Sequence, residues 1–213
     1  MRVTHFGHSC LLVETGGARV LIDPGTLSHG FEELVDLDAV VVTHAHPDHV
    51  DVERLPLLLE ADDRTVLHAE PETASQLRAS GIEALALHPG RSVRFAGASV
   101  TGAGGEHALI HPDLPRIGNV GLLLRAEGEP TLFHPGDSYA AVPEGVDVLA
   151  VPLSAPWAAS RETVDFVRAV GAPTGFAVHD GLLTAPGRAV YSGHVATLGG
   201  LRLRTFDDGP LEL

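Results

Sequence analysis

Within six positions, His44, His46, Asp48 and His49 gather three imidazoles and a carboxylate directly behind the apolar run Ala39-Val40-Val41-Val42. Imidazole nitrogen and carboxylate oxygen together are ligands for zinc and similar divalent cations. A buried strand that ends in such a cluster, with Pro47 forcing a turn, brings several ligands to one point. A histidine tag would sit at a terminus, whereas this cluster is internal. The pattern points to a metal-dependent enzyme.

One loop cannot complete a two-metal site, so further ligands are expected at other strand ends with glycine or proline nearby. Three places qualify: Gly104-Gly105-Glu106-His107, His134-Pro135-Gly136-Asp137 and Val178-His179-Asp180-Gly181. His111 follows His107 by four residues and competes with it. On a helix the two would share a face, but Gly104-Gly105 before them and Pro112 after them favour a loop. His5, His8 and His134 lie close enough to the motifs to orient ligand rings, although a role outside catalysis is the simpler reading of each, and of His111. Asp23 either supports a ligand histidine or simply opens the Pro24-Gly25 turn. His29, His68, His88 and His194 have no motif around them and are assigned to surface or core.

The elements that must hold these residues alternate. Residues 2–6, 10–14 and 18–22 read as an antiparallel meander turning at Gly16-Gly17. The continuous apolar strand 38–43 precedes the histidine loop, and a helix is expected from about Asp51 to Glu60, with Val52, Leu55, Leu58 and Leu59 at helical spacing. A strand over 64–67, a helix over 71–79 stopped by Gly81, and a short strand over 83–87 follow. Strands then dominate: 92–95 with 99–102, and 118–125 with 130–134. Beyond them come a strand over 146–151, a helix over 160–170 with Ser160 as N-cap and Gly171 past its end, and a strand over 174–178. The tail is expected to return to strand. This alternation predicts α/β layers with mixed sheets in a single domain spanning residues 1–213.

Composition sets further bounds. The chain has 213 residues, 44% of them hydrophobic, enough for a full core. No apolar stretch approaches the roughly 20 residues that span a bilayer, and Met1-Arg2-Val3-Thr4-His5 runs straight into a strand without a signal-peptide pattern. A cytoplasmic protein without a membrane partner is expected. The net charge is −14 and all 14 basic residues are arginine. Without lysine there is no Schiff base on the protein and no P-loop lysine. Scattered arginines on an acidic surface argue against nucleic acid, though cations in the site would still admit a small anionic substrate. Cys10, the single cysteine, cannot form an internal disulfide and reads as a buried apolar residue. A homo-oligomer is compatible with the sequence.

Taken together, His44-x-His46-x-Asp48-His49, His107, Gly136-Asp137 and His179 resemble the metallo-β-lactamase superfamily across nearly the whole chain. Thr4-His5-Phe6-Gly7-His8-Ser9 and Ile22-Asp23-Pro24-Gly25 are similar to small stand-alone members akin to ascorbate-6-phosphate lactonase. The resemblance implies a four-layer αββα sandwich with two metals in a cleft along one edge of the sheets. It implies one metal on His44, His46 and His107, a second on Asp48, His49 and His179, and Asp137 bridging. Zinc, manganese or iron suits those donors.

The implied reaction is hydrolysis of a small ester, lactone or phosphodiester, in which a hydroxide shared by the metals attacks carbon or phosphorus, with Asp48 orienting the nucleophile or shuttling its proton. Arg116, Tyr139 and Trp157 either touch substrate or pack as ordinary loop residues. A rival reading is a mononuclear iron oxygenase of the same fold acting on a thiol or sulfur substrate. A non-enzymatic module fits less well, because seven ligands on two metals leave coordination positions open.

Overall fold

The computed structural model describes residues 1–213. Two seven-stranded sheets are stacked face to face, with two helices on the outer side of each. The first sheet contains β1 (Arg2–His5), β2 (Leu11–Thr15), β3 (Ala18–Ile22), β4 (Ala39–Val42), β5 (Val66–Ala69) and β6 (Leu85–Ala86). The second contains β7 (Ser92–Phe95), β8 (Ala98–Glu106), β9 (Gly118–Ala126), β10 (Leu132–His134), β11 (Val148–Pro152), β12 (Thr174–Val178) and β13 (Arg202–Arg204). The last strand, β14 (Leu211–Glu212), crosses back to pair with β1. The strand orders are β14-β1-β2-β3-β4-β5-β6 and β13-β12-β11-β10-β9-β8-β7.

The apolar strands show why this is an αββα sandwich. Along β4, Ala39 and Val41 join the core between the sheets, while Val40 and Val42 face the outer helices α1 (Leu55–Ala61) and α2 (Pro71–Ala79). Along β11, Val148 and Ala150 point inward, and Leu149 and Val151 pack toward α3 (Ser160–Val170) and α4 (Ala185–Gly199). Strands covered on both faces need no polar alternation. Cys10 lies fully buried in the outer core of the first sheet, and burial pushes its thiol up.

Three local expectations are corrected. Helix α1 begins at Leu55 rather than near Asp51, because the Asp51 carboxylate accepts the backbone N–H groups of Glu53 and Arg54 and holds that stretch as a turn. Ser160 lies inside α3 and its hydroxyl pairs with His194 Nδ1 at 2.8 Å; Ala159 occupies the cap position. Gly104 and Gly105 continue β8 and pair with Val120 and Asn119, and the loop expected at His107 and His111 follows directly. The tail does not go directly to strand: the 15-residue α4 intervenes. Only Val195 of that helix is buried, so no apolar stripe marks it in the sequence. Its signals are at its ends, where Thr184 accepts the Gly187 N–H, a proline opens the first turn and Gly200 closes the last in a left-handed conformation.

Candidate metal centre

The loops after β1, β3, β4, β8, β10 and β12 meet at one edge of the sandwich. They form two adjoining quartets, His44-His46-His107-Asp137 and His8-Asp48-His49-His179, whose donor atoms lie within 4.8 Å of one another in each. All seven expected ligand residues are therefore brought together, and His8 is added. His111 is exposed beside Asp113, away from both quartets. His134 is buried but bonds the Ser9 carbonyl, while His5 bonds the His8 carbonyl, so both act at a remove from the ligands.

Hydrogen bonds determine which ring nitrogen carries the proton. His107 Nδ1 donates to the Ala108 carbonyl at 2.6 Å, and His179 Nδ1 donates to the Ser154 carbonyl at 2.6 Å. His49 Nδ1 lies 2.7 Å from Asp23 Oδ2. The Thr43 hydroxyl donates to the same oxygen and so accepts from His44 Nδ1 at 3.0 Å. In that arrangement each of these four rings carries its Nδ1 proton outward and aims Nε2 inward, where a cation would displace any second proton. The Nε2 atoms of His49, His107 and His179 are buried without a hydrogen-bond partner, as is Asp137 Oδ1. Buried polar atoms are normally paired, and four converging orphans that are all electron-pair donors fit a cation. His46 completes its quartet with Nδ1 at 3.1 Å from His44 Nε2.

Asp137 stands between the quartets. Its Oδ1 is 3.1 Å from His49 Nε2, and its Oδ2 is 3.1 Å from His179 Nε2 and 3.5 Å from His107 Nε2. Asn119, buried, fixes this loop by accepting the Asp137 N–H at 2.9 Å and donating to the Pro135 carbonyl at 3.0 Å. The Trp157 indole N–H donates to Asp137 Oδ2 at 2.9 Å.

His8 has the opposite tautomer. Its Nδ1 accepts the Gly181 N–H at 3.1 Å, so the ring proton sits on Nε2 and is donated to Asp48 Oδ2 at 3.0 Å. A neutral His8 thus has no lone pair left for a cation and instead orients the Asp48 carboxylate. Asp48 also lies 3.4 Å from His179 Nε2, and its side chain is 28% exposed against 4% for Asp137. It is the more open of the two carboxylates.

Asp23 both opens the turn and supports the site. Besides His49 and the Thr43 hydroxyl, it accepts the Thr43 N–H at 2.7 Å. Asp23, His8 and His179 all adopt positive φ, at 47°, 53° and 52°. Left-handed backbone at three non-glycine residues is strain concentrated where side chains must converge. Gly25 is required for a different reason: a Cβ there would collide with the Asp48 carbonyl, so only glycine lets the Asp23 turn lie against the histidine loop.

The charges agree with a cation site. Burial opposes charge on His179, but the adjacent Asp137 and Asp48 carboxylates outweigh it and push the ring up to about 9. Burial also opposes charge on His49, where Asp137 and Asp23 win and raise it well above the usual imidazole range. At His44 burial wins, helped by repulsion from His49, and keeps the ring neutral. Burial works against the Asp137 carboxylate, yet His49, His107 and His179 hold it well below the usual range. Protons and cations therefore compete for the same lone pairs.

The role of Asn119 was not legible from spacing, and spacing marked His8 only as a neighbour able to orient a ligand ring, not as the partner of Asp48. His8 lies 40 residues from the carboxylate it holds, and Asn119 18 residues from Asp137. The Gly7-His8 and Gly118-Asn119 pairs offered no metal-ligand pattern of their own.

Comparison with known proteins agrees with the architecture. Residues 2–179 match the family described as Beta-lactamase superfamily domain. Protein Rv0786c of Mycobacterium tuberculosis is 44% identical over 199 residues, covering 93% of this chain and 92% of that protein. A UPF0173 metal-dependent hydrolase of Xanthobacter autotrophicus is 34% identical over 152 residues, 65% of this chain and 62% of that hydrolase. Among solved structures, Igni18, a metallo hydrolase of Ignicoccus hospitalis, superposes with a TM-score of 0.74 at 18% identity, over 100% of this chain and 98% of that one. That identity speaks to fold alone, but the family match and the Mycobacterium relative go further: the chain belongs to the β-lactamase superfamily.

Proposed function

We propose that this chain is a metal-dependent hydrolase that holds two divalent cations and cleaves a small ester, lactone or phosphodiester. The observation that carries this reading is the pair of donor quartets meeting at Asp137, with four imidazoles set so that Nε2 faces inward. His44, His46 and His107 would hold one cation, Asp48, His49 and His179 the other, and Asp137 both. Zinc is the first expectation, with manganese or iron also suited to nitrogen and oxygen donors. Bound there, the pair would supply Lewis acidity and a nucleophilic hydroxide at neutral pH.

The protein's own groups would do the rest. Asp48, half-open and held by His8, orients the attacking water and takes its proton. Buried Asp137, tied by Asn119 and Trp157, keeps the quartets at a fixed spacing. The backbone carbonyls at Ala108 and Ser154 stop two ligand rings from rotating.

Elemental analysis of gently purified protein, covering zinc, manganese and iron together, tests this reading. About two zinc or manganese ions per chain are expected. A single iron per chain, with oxygen consumed in the presence of a thiol substrate, would overturn it in favour of the oxygenase.

A further inference from the structure

A cavity of about 550 Å³ opens beside the metal centre, within the range of small-ligand sites. Trp157 is its shared wall. The indole N–H is fixed on Asp137 Oδ2 at 2.9 Å, and the ring lies edge-on to His107 and His179 at centroid distances of 6.1 and 6.5 Å. Tyr139 backs it, edge-on at 4.8 Å and tethered through its hydroxyl to the Pro152 carbonyl. Phe166, Leu109 and Val142 complete the apolar lining.

Two further observations define what this cavity receives. The first is exposed apolar surface: Leu109 is 53% exposed, Val142 45% and Leu114 51%. Leu114 lies in the adjoining crevice that reaches His46 and His107. Large apolar side chains left in water around a cleft mark a binding surface. The second is charge. No basic side chain lines the cavity, whose polar groups include the acids Glu162 and Asp165. Arg116, in the crevice, is occupied by Glu106 at 2.9 Å and by the His107 carbonyl at 2.7 Å. A phosphate or carboxylate substrate would find no free cation of the protein here.

Resting on the hydrolase reading above, we propose that the reacting carbonyl carries an uncharged apolar acyl arm that lies in this cavity against Trp157. Neutral esters or lactones, rather than phosphodiesters, are then the substrates. Water adds to the carbonyl carbon, the bond to the alkoxy oxygen breaks, and the proton lost by water ends on that oxygen. The products are an alcohol and a carboxylic acid from an ester, or a single hydroxy acid from a lactone, and once ionised the acid is repelled by Glu162 and Asp165.

The test pairs kinetics with binding. In p-nitrophenyl esters, kcat/KM should rise on the order of a hundredfold from acetyl to hexanoyl, roughly three- to fourfold per methylene, and the Val142→Asp variant should reduce that ratio at least tenfold. Trp157 is the only tryptophan, so its emission reports occupancy without turnover; octanamide should shift it at lower concentration than octyl phosphate. If esters are cleaved with no chain-length gain, or bis(p-nitrophenyl) phosphate is preferred, the acyl-arm inference fails and the hydrolase reading stands. If nothing is cleaved but octanamide still saturates the emission change, the apolar pocket stands and the hydrolase reading fails. Neither cleavage nor binding would overturn both.

Discussion

The two halves of the sandwich have the same plan and use it differently. Reading from β14 in the first sheet and from β7 in the second, each has three antiparallel pairings followed by three parallel ones. β3 thus corresponds to β10, and β4 to β11. In the first half, β4 delivers His44, His46, Asp48 and His49 in one loop, and β3 delivers the supporting Asp23. In the second half the candidate ligands are single, with His107 after β8, Asp137 after β10 and His179 after β12, while β11 leads to no ligand but to the Ser154 carbonyl and Trp157. Crowded histidines are thus steadied by side chains, Asp23 and Thr43, and the solitary histidines by backbone oxygens, while Asp137 is held by Asn119 and Trp157. Side-chain support can be removed by one substitution; backbone support cannot.

The largest effect is expected at the residue both halves share. Asp137→Ala removes the one carboxylate within reach of His49, His107 and His179, so metal content should fall from two per chain to one or none, with activity reduced by roughly 10³-fold or more. Elemental analysis of the folded variant decides this. Two tightly held ions in Asp137→Ala would mean that the quartets are independent sites.

The asymmetry itself is tested by the supports. Asp23→Ala should weaken metal binding by about 10- to 100-fold, the usual cost of losing a group that orients a ligand histidine. Ser154→Ala should leave it unchanged, because the bond to His179 uses the main-chain oxygen. Competition with a chelator measures both; equal losses would remove the distinction between the halves.

Legibility in the sequence follows the same division. His44 to His49 stood out because one strand end carries all four groups, and the buried strands announced themselves by unbroken apolar runs such as Ala39–Val42. His107, Asp137 and His179 were located only as possible strand-end ligands, and their arrangement came from family resemblance. The sequence marked Asp23 and His8 as possible supports, but not Asn119 or the carboxylate that His8 holds, because these act across the fold, and backbone carbonyls leave no trace in residue type. Helix α4 escaped for an opposite reason. It buries one residue, so the periodicity that reveals helices through their contact with a core is missing.

A smaller effect is expected at His8. His8→Leu removes the hydrogen bond to Asp48 and should reduce activity about tenfold. His8→Gln, whose amide can still donate at that position, should recover most of the loss. Failure of Gln to recover activity, with the fold intact, would show that the ring acts through something other than its Nε2 proton.

The smallest effect lies at the far end of the molecule, where the halves are joined away from the site. Glu129, in the turn between β9 and β10, accepts from the Thr15 hydroxyl at 2.7 Å and the Gly16 N–H at 2.8 Å, and pairs with the N-terminal ammonium at 3.0 Å. The hydrogen bonds from Thr15 and Gly16, with help from the N-terminus, pull its carboxyl down to about 2. A carboxylate depressed on folding stabilises the native state fully above its ordinary pKa, and that contribution is lost as pH falls through the folded value. With solvent screening at a partly exposed pair, the contribution is about 1 kcal/mol. Glu129→Gln should therefore lower Tm by roughly 2–4 °C at pH 7, and the gap to wild type should narrow as pH drops below about 4.5 toward 2. A gap that stays constant over that range would mean the turn is held by shape alone, and that the charge of Glu129 plays no part in joining the two halves.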